Sequence, residues 1–181
     1  MMRVHRQIAA IAVITGLIGG VCSVAGAVGN DLFPQSVASG DPRPRSVVLW
    51  TRVATGEDLY PVRLQLEVAL DQGFTDIVKS QQVVAVGAYD YCVKVKVTGL
   101  NPYTTYYYRF VYGEGADAVS SPVGRTRTAP GTSDQRSVRF AVIYGQDYIG
   151  RYYNTLAKLL RDHDEDLDFV VHLGDYVYET T

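Results

Sequence analysis

The residues best suited to chemistry stand late in the chain, in "DFVVHLGDYVYETT", residues 168–181. The apolar run Phe169–Leu173 reads as a buried strand, and Gly174 permits a tight exit from it. Asp175 and Tyr178 then offer a carboxylate and a phenol just past the strand, like the start of a metal site. In open α/β sheets, sites gather beyond the carboxyl ends of the strands. A carboxylate has two oxygens and can bridge two cations, the arrangement used in two-metal hydrolysis of phosphate esters. Turns also use Gly-Asp freely; its place after an apolar strand that follows a helix gives it weight. A second segment of this kind, "YGQDY" at 144–148, follows another short apolar strand. His172 lies inside its strand and points away from Phe169, Val171 and Leu173, so a hydrogen-bonded core histidine is expected rather than a ligand. His163 is expected to be solvated. Asp162, Asp164, Glu165, Asp166 and Asp168 crowd one loop without the glycine and ligand spacing of a calcium loop, which points to a solvated acidic face.

The elements that must position these residues follow from hydrophobic rhythm. "SVRFAVIY", residues 137–144, is a short apolar strand. In "GRYYNTLAKLLRDH", residues 150–163, Tyr152, Leu156, Leu159 and Leu160 recur at helical spacing. "LDFVVHL" is the next strand. Strand, helix, strand is one βαβ crossover, and a parallel sheet of that kind must be covered on both faces. Roughly 45 residues cannot bury one, so this second domain is expected to be incomplete.

From residue 30 to residue 130 the period is two instead. Val62, Leu64, Leu66, Val68 and Leu70 alternate with Arg63, Gln65, Glu67 and Ala69, and Tyr91, Val93, Val95 and Val97 alternate with Asp90, Cys92, Lys94 and Lys96. Several such strands between Gly, Pro, Asn and Asp turns predict an immunoglobulin-like or fibronectin type III-like β-sandwich. "GLNPYTTY" adds the spacing of a tyrosine corner, with Leu100 as anchor, Pro102 as bend and Tyr106 bonded back to the backbone. "TAPGTSDQRS", residues 128–137, has linker composition.

At the amino terminus, Arg3 and Arg6 precede an uncharged Ile-, Val-, Ala- and Gly-rich stretch that ends in Ala25-Gly26-Ala27. That is the pattern of a secretory signal peptide cut after Ala27, with no twin-arginine pair. An uncleaved anchor is the other reading of residues 8–29. Cleavage removes Cys22 and leaves Cys92 alone, so no internal disulfide is expected and Cys92 reads as a half-buried filler in a strand. A net charge of −2 without a basic block gives no nucleic-acid footprint. The mature chain is expected to be exported, periplasmic or extracellular, and free of the membrane.

Four stretches carry a resemblance: "FPQSVASGDPRPRSVVLWTRV" at 33–53, "GRTRTAP" at 124–130, "QDY" at 146–148 and "DLDFVVHLGDYVYE" at 166–179. In order and spacing they resemble the alkaline phosphatase D family of metallophosphoesterases. The resemblance covers nearly all of residues 33–179, and together with the patterns above it gives a signal peptide over 1–27, a β-sandwich over 30–130, a linker over 131–136 and, over 137–181, the truncated start of an α/β catalytic domain. It further implies hydrolysis of phosphomonoesters and phosphodiesters with iron and calcium, Asp175 bridging metals and Tyr178 binding ferric iron as a phenolate. The family places a serine and an iron-binding cysteine before the Gln of the first loop; Tyr144 and Gly145 stand there in this chain, so an iron anchor is missing. The family's later ligands lie past the crossover, and two ligands do not hold a two-metal centre. The chain is therefore expected to be the amino-terminal part of a phosphatase, inactive alone. The alternative is a secreted β-sandwich binding module.

Overall fold

The computed structural model describes residues 31–54, 60–146, 148–149, 152–176 and 178. The expected signal segment, together with Asp147 and Glu179, lies outside the described residues. In chain order the first strands are β1 (Val37–Arg43), β2 (Ser46–Arg52), β3 (Val62–Ala69), β4 (Ile77–Ala85), β5 (Cys92–Thr98), β6 (Thr105–Tyr112), β7 (Val119–Ser120) and β8 (Gly124–Arg127). They form two antiparallel sheets, one in the order β1-β2-β5 and one in the order β4-β3-β6-β7, with β8 also pairing β6. β4 thus pairs β3 in the second sheet, where an immunoglobulin constant domain would place its fourth strand with the first.

The core follows from the alternation. Val47 and Leu49 of β2 and Val93 and Val97 of β5 join one buried cluster with Leu64, Leu66 and Val68 of β3 and Tyr106, Tyr108 and Phe110 of β6. Cys92 is a half-buried free thiol facing the other way. The tyrosine corner is present: the Asn101 backbone N–H donates to the Tyr106 hydroxyl at 2.8 Å, and Leu100 is buried beneath it. Tyr108 crosses from Gly124 in the β6–β8 register, and burial pushes its phenol up to about 12 against the opposing effect of a bond with Ser39.

One expected core position is corrected. Leu70 is 40 % exposed while Ala69 is fully buried. The register between β3 and β4 shifts at Val68/Ala69, so alternation breaks there and the next side chain turns outward.

Past the sandwich come β9 (Phe140–Ile143), helix α1 (Asn154–His163) and β10 (Phe169–His172). β10 pairs β9 in parallel, with Phe169 opposite Phe140 and His172 opposite Ile143. Tyr152, expected within the helical stripe, precedes the helix instead. It and Tyr153 have φ of 54° and 53°, and backbone in the left-handed region cannot continue a right-handed helix. Leu156 and Leu159 are half-buried and Leu160 is exposed. The Phe140 and Phe169 rings stack at 5.1 Å with both partly in solvent.

Candidate functional site

Because β9 and β10 are parallel and in register, their carboxyl ends open on the same edge. The pairing carries on past the strands: Leu173 N–H donates to Ile143 O at 2.9 Å, and Gly145 N–H reaches Gly174 O at 3.4 Å. The two loops singled out by sequence are therefore neighbours. Gly174 has φ of 120° and Gly145 of 60°, conformations that glycine adopts without Cβ strain. Asp175 follows at φ 51°, a left-handed conformation that Asp tolerates better than most residues. Its side chain projects from an exposed position, as do Tyr144, Tyr176 and Tyr178.

Position 145 faces Tyr178. A Cβ built on Gly145 would stand 3.5 Å from the Tyr178 hydroxyl oxygen, an ordinary van der Waals distance. A side chain there would reach the phenol without displacing it, although the positive φ would strain it. Nothing in the spacing of these two residues announced this adjacency; the parallel register creates it.

His172 accepts from the Gly174 N–H through Nδ1 at 3.2 Å, which puts the proton of the neutral ring on Nε2. Its ring meets Tyr176 edge-on at 5.0 Å. It is hydrogen-bonded as expected but half-buried, a correction to the core placement, because the two-stranded sheet does not enclose it. His163 is exposed, 3.7 Å from Asp166.

The acidic stretch is exposed at Asp162, Asp164, Glu165 and Asp166, as expected, and is corrected at Asp168. Asp162 pairs with Lys158 and Arg161, Asp164 with Arg125, and Asp168 with Arg127 at 2.7 Å. Bonds from Lys158 and then Arg161 hold the Asp162 carboxyl below its usual range. The Asp168 side chain is only 10 % exposed, so it belongs to an interior contact and not to a solvated face. Sequence reasoning missed this residue; the Arg-Thr-Arg of β8 and an acid directly ahead of an apolar strand were the available signals.

A metal test follows from the donors. Carboxylate and phenolate oxygens are hard ligands that suit ferric iron and calcium in kind. Among the described residues, no three His, Cys, Asp or Glu side chains converge as a metal site. Asp175 and Tyr178 thus match such metals in type and fall short of a cage in number.

Comparison with known proteins sets this geometry in context. The family model described as "PhoD-like phosphatase, N-terminal domain" matches residues 21–130. Alkaline phosphatase D of Bacillus subtilis (strain 168) is 39% identical over 154 residues, which cover 81% of this chain. The chain belongs to the PhoD-like phosphatase family. The solved structure of PhoD superposes with a TM-score of 0.72 at 39% identity over 82% of the chain. The PhoD-like chain spans 25% of the length of the Bacillus relative and 28% of the solved one. In this PhoD-like protein, no helix among the described residues is long and apolar enough to cross a membrane.

Proposed function

We propose that this chain is the amino-terminal portion of a secreted alkaline phosphatase that hydrolyses phosphomonoesters and phosphodiesters. In this reading residues 30–130 are its β-sandwich domain, residues 131–136 a linker, and residues 137–181 the opening βαβ unit of the metallophosphoesterase domain. Asp175 and Tyr178 contribute to a centre of iron and calcium. When bound, such metals polarise the phosphoryl group and activate a water for attack. The chain's own residues hold the two loops edge to edge, orient the phenol toward position 145 and place the carboxylate past the sheet. With only these two ligands, the 181 residues alone are inactive.

The observation that carries this reading is the 3.5 Å approach of a Cβ at position 145 to the Tyr178 hydroxyl. In the resemblance, those positions hold the cysteine and the tyrosine that share one iron. The binding-module alternative is less well supported, since in the aromatic strand Tyr106–Tyr108 that could have served it Tyr106 and Tyr108 are buried in the core and Tyr107 is half-buried.

A chimaera tests the proposal: residues 31–181 joined to the part of Bacillus subtilis alkaline phosphatase D that follows its matched segment, assayed on p-nitrophenyl phosphate and its diester with iron and calcium. The Gly145→Cys chimaera is expected to turn over faster than the Gly145 parent. Asp175→Asn is expected to cost more than the roughly 10- to 100-fold typical of residues outside the ligand shell. A folded chimaera whose turnover ignores both substitutions would refute the assignment.

A further inference from the structure

Asp168 is the most enclosed polar link between the sandwich and the β9–β10 pair among the described residues. Asp168, the residue before β10, is engaged on both carboxylate oxygens: Oδ1 accepts from Arg127 Nη1 at 2.7 Å, and Oδ2 accepts from the Arg139 backbone N–H at 2.9 Å. Its own N–H donates to Arg139 O at 2.8 Å. Tyr103, at the sandwich corner, bonds the same carboxylate. One group therefore ties β8, the approach to β9 and the start of β10.

The sandwich side of this contact is itself fixed. Arg127 Nε donates to Thr105 Oγ1 at 3.0 Å, and the guanidinium lies 5.2 Å from the centre of the Tyr103 ring. Arg136, at the end of the connecting segment, covers the same ring at 3.7 Å. With side chains 10 % and 21 % exposed, Asp168–Arg127 is the most enclosed ion pair among the described residues. Removing one member of an enclosed pair strands the other charge, so the contact is costly to break from either side. By comparison, Arg125–Asp164 at 3.0 Å is half in water on its acidic side.

We infer that Asp168 is a positioning residue, whose carboxylate locks the parallel strand pair in one orientation on the sandwich and thereby fixes where Gly145, Asp175 and Tyr178 stand. Asp168 and Asp175 bracket β10. At about 3.3 Å per residue, that lever is roughly 20 Å long, and a tilt of about 10° at its base carries the tip by about 3 to 4 Å. Functional constellations tolerate roughly 0.5 Å. A loose base is incompatible with a set site.

This inference deepens the reading above, since the residues positioned are those proposed to meet metal, but its test needs neither metal nor turnover. In the full chain, with Cys22→Ala and Cys92→Ala to remove both native thiols, spin labels are placed through Lys94→Cys on β5 and Tyr176→Cys beyond β10, and pulsed dipolar spectroscopy reads the distance between them. One narrow distribution is expected. Asp168→Ala and, separately, Arg127→Ala should widen it and shift its mean, while the near-ultraviolet spectrum of the sandwich persists. Arg127→Lys, which keeps the charge, should restore much of the narrow form, and Asp164→Ala should leave it narrow. Should Arg127→Ala unfold the sandwich, Asp168→Ala decides the matter, because Asp168 lies outside the sandwich strands. An unchanged distribution in Asp168→Ala overturns the inference, and so does equal widening in Asp164→Ala. Success or failure of the chimaera's phosphatase activity bears on the metal reading alone.

Discussion

At the scale of single residues, two positions decide how well the sandwich closes. Gly124 faces Tyr108 across the β6–β8 register, and a Cβ there would stand 2.3 Å from Tyr108 Cζ. The glycine is required by the ring's volume, not by backbone conformation. Gly124→Ala is expected to destabilise the sandwich by about 1–3 kcal/mol, as overpacking does, in a urea unfolding curve. Tyr106→Phe removes the acceptor of the Asn101 N–H and leaves that half-buried donor unmet. The expected loss is about 1–3 kcal/mol, read from the same curve, with the slope unchanged because the exposed surface is unchanged. Both residues were visible in the sequence, yet only the tyrosine had a local signature. The glycine's role depends on which strand pairs with β6, and no neighbouring residue encodes that.

At the scale of elements, β10 is where acid should act. Burial raises the Asp168 carboxyl, but hydrogen bonds from Arg139, Arg127 and Tyr103 outweigh it and leave the group below its ordinary value of 3.8. The folded form thus holds its proton more weakly than the unfolded form. The stabilisation is fully present above the unfolded value and is lost as pH falls through the folded one. Amide resonances of Val170 and Val171 are expected to broaden or shift as pH drops from about 5 to about 2, ahead of those of β6. Asp168→Asn should flatten that response, and an identical response in the variant would count against the clasp. Helix α1 makes a contrast. Leu160 is 64 % exposed, so Leu160→Lys should change stability by no more than about 0.5 kcal/mol, whereas Leu66→Ala in β3 should cost about 2–5 kcal/mol. The helical period around Leu156 and Leu159 was legible, but the first turn was misplaced. Left-handed backbone at Tyr152 and Tyr153 starts the helix at Asn154, and tyrosine side chains carry no signal for that conformation.

At the scale of the whole molecule, burial is uneven. The fully enclosed side chains, among them Phe33, Leu49, Leu100, Tyr106 and Phe110, belong to the sandwich, while Phe140, Val142, Val170 and Leu173 of the parallel unit stand substantially in solvent. Local opening follows the scarcity of buried apolar contact. Hydrogen exchange is therefore expected to be slow in β3 and β6 and much faster in β9 and β10, and equal protection would contradict this distribution of stability. Asp168→Ala should accelerate exchange in β9 and β10 and leave β6 unaffected.

The sequence by itself determined the strands of the sandwich, the tyrosine corner, the strand-helix-strand order and the family. Each of these is written locally, in alternation, in turn residues or in short contiguous strings. Only the tertiary structure decided how closely position 145, which the resemblance had put at the same iron as Tyr178, approaches that phenol, that Leu70 turns outward past a register shift, and that Asp168 leaves the acidic loop to join the two regions. Each of those depends on the distance between residues far apart in the chain. Such distances are set by strand register and by how one packed unit rests on another, and the period of a pattern carries no information about either.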